Sequence, residues 1–200
     1  VLLNYILRPL ADPEPTDLSN VYASWWTEEY YSEEWVLHNY TSPEQSSEEA
    51  DVEAYLAAVE KNLSANICPY IEANPETQFV IFFPPYSILF WNDVSKENLL
   101  DVTIEEYRYI TERLNAYENV EVYFFPDQEE IICDLNNYAD YTHYHPRYNR
   151  YMTECFADGS CLVTKEDSQG TGKGKTIDEY LKHMREIAEG FDYEELLSRK

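Results

Sequence analysis

Glycine is nearly missing from this chain: five in 200 residues, and none before Gly159. A tight strand-to-helix elbow that exposes a nucleophile normally needs glycine for close backbone approach and unusual dihedrals. No such elbow can therefore be read in the first three quarters of the sequence. Basic residues are also scarce. Fourteen lysines and arginines face 39 aspartates and glutamates, a formal net charge of −25. That field repels nucleic acid and anionic lipid, and it makes phosphate-rich partners poor candidates. It suits a solvated acidic surface, or a cationic partner or polymer.

No apolar run approaches the ~20 residues a membrane span requires. Val1 to Leu10 is apolar but too short and too poorly flanked for a signal peptide. A start on valine instead of methionine leaves room for a leader or anchor upstream. The four cysteines, Cys68, Cys133, Cys155 and Cys161, show no C-x-x-C spacing. The nearest pair, Cys155 and Cys161, encloses five residues, which does not suit a common zinc finger and is compatible with a disulfide. Cysteine usage alone does not fix the redox compartment.

What is present is enough for one compact domain. Two hundred residues, 44% of them hydrophobic, can bury a sizeable core. Residues 1–48 are irregular in pattern, broken by Pro9, Pro13, Pro15 and Pro43, yet dense in aromatics from Tyr22 to Tyr40. Such density is hard to leave in water, so a packed segment with short helices is expected, an aromatic carbohydrate platform being the functional alternative. From Ser47 to Ala73 apolar residues recur at steps of three and four, which predicts a helix ended by Asn74-Pro75. In Gln78 to Phe83 the apolar residues run continuously instead of alternating, which predicts a strand buried on both faces, closed by Pro84-Pro85.

A helix is expected over Lys96 to Ala116, with Leu100, Ile104, Tyr107, Ile110, Thr111 and Leu114 inward. A second strand follows from Asn119 to Phe125, then a helix from Pro146 to Phe156. Asp167 to Lys175 predicts a polar, glycine-rich loop. Closing helices are expected near Ile177 to Ala188 and Tyr193 to Ser198. Helix, buried strand, helix, buried strand is the pattern of an α/β sheet with parallel strands. Ligands of such sheets collect beyond the carboxyl ends of the strands, where Pro84 to Ser87 and Asp134 to His143 belong.

Asp140-Tyr-Thr-His143 carries the chemistry. A carboxylate three residues before a histidine can fix the imidazole tautomer and stabilise the imidazolium, so that the ring takes a proton from a hydroxyl nucleophile. Asp140, His143 and His145, with Cys133 and Asp134 nearby, could instead hold a metal. Against that, Pro146 follows His145 and no fourth ligand is clearly spaced. Gly172-Lys-Gly-Lys-Thr176 is a poor phosphate loop, because Gln169 stands where the first glycine is needed. His38 and His183 are assigned no role.

Phe82-Phe-Pro-Pro-Tyr-Ser87 after one strand, and Asp134-Leu-Asn-Asn-Tyr-x-Asp140-x-x-His143-Tyr144 after the next, resemble the C-terminal half of SGNH/GDSL hydrolase-like proteins. The resemblance is to the bacterial extracytoplasmic branch that includes alginate acetylation and teichoic-acid D-alanylation proteins, and it covers about Ala50 to Lys200. It implies a three-layer α/β sandwich with a mainly parallel sheet, flavodoxin-like and present here at least as its C-terminal half. Residues 1–48 would be an aromatic N-terminal segment and 49–200 the domain portion.

The same resemblance implies a carbohydrate O-acyl esterase or acyltransferase module of the cell exterior or envelope. His143 would be its general base and Asp140 the orienting carboxylate. Tyr86, Ser87 and Tyr144 would line the substrate site. No cofactor is implied, and the partner would be an acylated carbohydrate or cell-wall polymer. The family's Gly-Asp-Ser nucleophile block and its Gly-x-Asn-Asp block have no counterpart upstream. Asp158-Gly159-Ser160 imitates the first only in composition, so the isolated chain is expected to be inactive and the nucleophile to come from sequence not in it. The alternative is a catalytically silent acidic module that binds a polysaccharide or a basic protein.

Overall fold

The computed structural model describes residues 28–164 and 174–200. The first 27 residues, with Tyr22, Trp25 and Trp26, and most of the glycine-rich loop expected after Asp167 lie outside the described residues. The described residues open on a 3-10 turn, Glu28–Tyr30, and helix α1, Glu33–Asn39, whose first turn is capped by the Ser32 hydroxyl accepting from the Trp35 N–H at 3.2 Å. Tyr40 is then buried, and its hydroxyl donates to Asp93 and accepts from the Asn92 amide. These bonds fasten the segment onto the helix that follows the first strand.

The helix expected over Ser47 to Ala73 is two helices. Helix α2, Val52–Asn66, starts at an Asp51 cap, and α3, Cys68–Ala73, follows a break at Ile67. Pro69 explains the break: it has no N–H to continue the ladder and fits only a first turn. Strand β1, Phe79–Phe83, leads to α4, Ile88–Lys96, and α5, Leu100–Asn115, before β2, Val120–Phe124. Helix α4 has no counterpart in the sequence reading, which began its helix where α4 ends. Asn98 separates α4 from α5 in a left-handed conformation (φ 57°), its amide donating to the Ser46 and Glu48 carbonyls.

β1 and β2 pair in parallel with Phe79 opposite Val120 and Phe83 opposite Phe124, so the fold is mixed α/β around a small two-stranded parallel sheet. The strands' two faces meet different surroundings. Val120, Val122 and Phe124 enter the main core with Trp91, Leu114, Tyr180 and Met184, while Tyr123 and Phe125 enter a second cluster with Met152 and Cys155. The second cluster is supplied by α7, Arg147–Asp158. Burial of β1 on both faces is not observed: Val80 and Phe82 are about 40% exposed. On that face the Phe156 ring reaches Phe82, at 5.6 Å between centroids, and still leaves it partly exposed.

Beyond β2 the chain forms a short helix α6, Glu129–Ile132, and a 3-10 turn, Leu135–Asn137. After α7, residues 161–163 run antiparallel along β2, the Phe124 N–H donating to the Cys161 carbonyl and the Val163 N–H to the Val122 carbonyl. Helix α8, Ile177–Gly190, carries a capping box between Thr176 and Glu179, and α9, Tyr193–Leu197, closes the chain. No helix among the described residues is long and apolar enough to cross a membrane.

Candidate functional site

The loop after the 3-10 turn builds the dyad. Tyr138 and Tyr144 form an antiparallel bridge, and the Ala139 N–H donates to the His143 carbonyl at 2.9 Å. This narrow neck leaves residues 140–143 as its tip. Asp140 organises that tip from one oxygen: Oδ1 accepts from the Thr142 N–H at 2.8 Å and the His143 N–H at 2.7 Å. Short polar side chains bind backbone a few residues on in this way, so half of the carboxylate has a structural job. The other oxygen, Oδ2, lies 2.7 Å from His143 Nδ1. One side chain therefore shapes the turn and orients the imidazole.

The electrostatics follow. Burial pushes the Asp140 carboxyl upward, but the hydrogen bonds from the His143 and Thr142 amides, and then from the imidazole, outweigh it and hold the group below its ordinary value. A carboxylate held ionised beside Nδ1 favours the tautomer with a proton there, leaving Nε2 as the basic nitrogen. The His143 side chain is 67% exposed and the Asp140 side chain 35%. Thr142 offers a hydroxyl nearby, but it faces Nδ1 at 3.5 Å and donates to Asp140, on the wrong edge of the ring for a nucleophile.

Tyr86, Ser87 and Tyr144 converge on the same loop with unequal claims. Ser87 is fully buried: its hydroxyl donates to the Tyr141 carbonyl at 2.6 Å and accepts from the Leu89 N–H as the cap of α4. It cannot touch a substrate as expected; it fastens the turn after β1 to the dyad loop. A second fastening runs from the Tyr138 hydroxyl to the Pro85 carbonyl at 2.6 Å. Tyr86 packs on Phe90, with centroids 4.8 Å apart. Tyr144 is half-buried, its phenol raised by burial and then by nearby Tyr86. These two tyrosines remain partly accessible at the loop's base.

The metal arrangement is not assembled. The His145 ring accepts the Arg147 N–H at Nδ1 and faces Glu28 through Nε2 at 3.2 Å, while His143 turns to Asp140. Asp134 is occupied in capping Asn136. No metal-holding group of His, Cys, Asp and Glu is found among the described residues.

A second constellation was missed in the sequence. Asp127, three residues past the end of β2, is 1% exposed and receives Lys175 Nζ at 3.1 Å and His183 Nδ1 at 3.3 Å on Oδ2. Its other oxygen accepts from Gln128 at 2.9 Å. With Arg147, Tyr148 and Tyr151 these residues line a cleft of about 660 Å³. Neither Asp140 nor His143 lines it. The available signal was positional: an acid just beyond the carboxyl end of a buried strand. Its partners lie 48 and 56 residues downstream, one beside the glycine-rich loop and one among the histidines given no role.

A scan of family models, a search of curated proteins and a search of solved structures each return no match to this chain.

Proposed function

We propose that this chain is the acid–base half of an SGNH-type acyl-transfer module, an esterase or acyltransferase acting on O-acylated carbohydrate. The observation that carries the reading is the Asp140–His143 pair: Oδ2 at 2.7 Å from Nδ1, with Oδ1 pinned by two amides. In the reaction, His143 takes the proton from a hydroxyl nucleophile through Nε2, and Asp140 stabilises the imidazolium so formed. The protonated ring then returns the proton to the departing sugar oxygen. Ser87 keeps the loop in place, and Tyr86 and Tyr144 flank the substrate. The nucleophile is supplied by sequence not in this chain, in keeping with the missing glycine-serine block.

The finer architecture belongs to the same proposal. A parallel βαβ unit with the dyad loop after its second strand is what the C-terminal portion of a three-layer sandwich would contribute. We place the module at the cell exterior or envelope, with a cell-wall polymer or other acylated glycan as partner. A −25 charge supports a second reading, a silent acidic module for a polysaccharide or basic protein.

The two readings separate in one experiment. The chain, extended through its upstream coding sequence, is assayed for release of acetate from acetylated oligosaccharides. Loss of turnover in His143→Ala, with unchanged circular dichroism, is the expected result. Turnover undiminished in that variant overturns the catalytic role. Salt-sensitive retention on a basic protein, without turnover, supports the silent module.

A further inference from the structure

The end of helix α7 reverses more sharply than its sequence suggests. Gly159 caps it in the left-handed region (φ 78°), its N–H donating to the Cys155 carbonyl at 2.9 Å. Asp158 holds the next residue, accepting from the Ser160 N–H at 2.8 Å and from its hydroxyl. Cys161 is again left-handed, at φ 61°, which is costly for a residue with a side chain. Two left-handed residues within three fold the chain back over its own last turn. The Cys161 carbonyl is then fixed by the Phe124 N–H of β2 at 2.9 Å. The consequence is that Cys161 Sγ stands 4.0 Å from Cys155 Sγ.

We infer that Cys155 and Cys161 form an intramolecular disulfide, a covalent site that ties the end of α7 to the segment running along β2. The two sulfurs, already in contact, have to close from this separation to a bond of about 2 Å. The pairing is specific: both sulfurs belong to the second cluster, whereas Cys68 and Cys133 pack with the main core. The bond also gives a reason for the backbone conformation at Cys161. The inference goes beyond the acyl-transfer reading and does not depend on it.

The oxidant is a dithiol–disulfide exchange partner. Partly exposed Cys161 loses its proton, attacks one sulfur of the oxidant and releases the other as a thiolate. Buried Cys155 then loses its proton and attacks Cys161 Sγ, expelling the oxidant as a dithiol. One protein S–S bond forms, two S–H bonds and the oxidant's S–S bond break, and two electrons pass to the oxidant. Burial, with Cys155 alongside, pushes the Cys161 thiol up to about 12. In the folded chain the rate should therefore rise about tenfold per pH unit from neutrality upward, following the thiolate fraction.

The test uses the whole chain equilibrated with oxidised dithiothreitol, alkylated under denaturant and cut with trypsin. Cys155 and Cys161 share the tryptic peptide Tyr151 to Lys165, which contains no other basic residue. The expected product is that peptide unalkylated and about 2 Da lighter than its dithiol, with Cys68 and Cys133 alkylated. The thermal midpoint should fall on the order of 5 °C on reduction, as expected for so short a loop. That dependence should vanish in Cys161→Ser, and equally in Cys155→Ala. Alkylation of both cysteines after the oxidant, or bonds to Cys68, Cys133 or a second copy, overturns the inference.

Discussion

Two aspartate–histidine pairs in this molecule present the same nitrogen to a carboxylate and are built in opposite ways. Asp140 and His143 lie three residues apart, on a loop tip that leaves two thirds of the histidine side chain in water. Asp127 and His183 lie 56 residues apart; there the carboxylate is almost fully buried and shared with Lys175, while the Lys175 and His183 side chains are nearly half exposed. The first pair adds little to stability, because a solvent-exposed contact between polar side chains is worth about 0–1 kcal/mol. The second must offset the desolvation of a buried charge, so breaking it leaves a cost that water cannot cover. A cheap, accessible pair can be spent on chemistry, whereas a buried one holds elements together.

The largest expected effect tests that division on turnover. In the upstream-extended protein, His143→Ala should lower acyl release by about a thousandfold or more, the scale on which triad members act. His183→Ala should leave it unchanged. Comparable losses in both variants, measured as kcat/KM on the same acetylated oligosaccharide, would erase the distinction between the pairs.

Stability should rank them the other way. Asp127→Ala removes the buried acceptor shared by Lys175, His183 and Gln128 and should cost about 2–3 kcal/mol. Asp140→Ala loses its two amide bonds at the tip and should cost about 1–2 kcal/mol. Urea midpoints at pH 7 read both; equal values would show that burial does not govern the difference.

A third test uses pH. Asp140 is held below its ordinary carboxyl value in the folded chain, so its contribution is complete above the unfolded value of about 4. It is lost as pH falls through the lower folded value. Stability of the wild type should therefore drop more steeply below pH 4 than that of Asp140→Asn, measured by urea titration at successive pH. Parallel curves would mean that the amide and imidazole bonds at this carboxylate are not made in solution.

The contrast also explains what could be read from the sequence. The dyad was legible because its partners share one turn, and the strands because Phe79 to Phe83 is an unbroken apolar run and Val120 to Phe124 is apolar but for Glu121. Helix α4 was not, since Pro84-Pro85 conceals its start and Ser87 caps it without a glutamate partner. The covered face of β1 was misjudged because apolarity does not say what packs against it; Val80 and Phe82 stay partly exposed. Asp127 escaped notice because Lys175 and His183 reach it only after α7 and α8 are in place. Ser87 was given a contact with substrate, although its residue type and position before an apolar helix also fit a cap.

That last residue supplies the smallest effect and the finest comparison. Ser87→Ala removes the cap of α4 and the bond to the Tyr141 carbonyl, at a cost of about 1–2 kcal/mol. A purely structural cap would lower the urea midpoint and leave the histidines alone. A residue that positions the dyad loop should in addition shift the His143 ring resonances, while those of His183, on a separate carboxylate, stay in place. Threonine at 87 keeps the hydroxyl and should restore both. Unmoved His143 signals in Ser87→Ala would confine the Ser87 hydroxyl to the helix, and the fastening between the β1 turn and the dyad loop would then rest on the residue 87 N–H donating to Tyr141 and on the Tyr138 bond to Pro85.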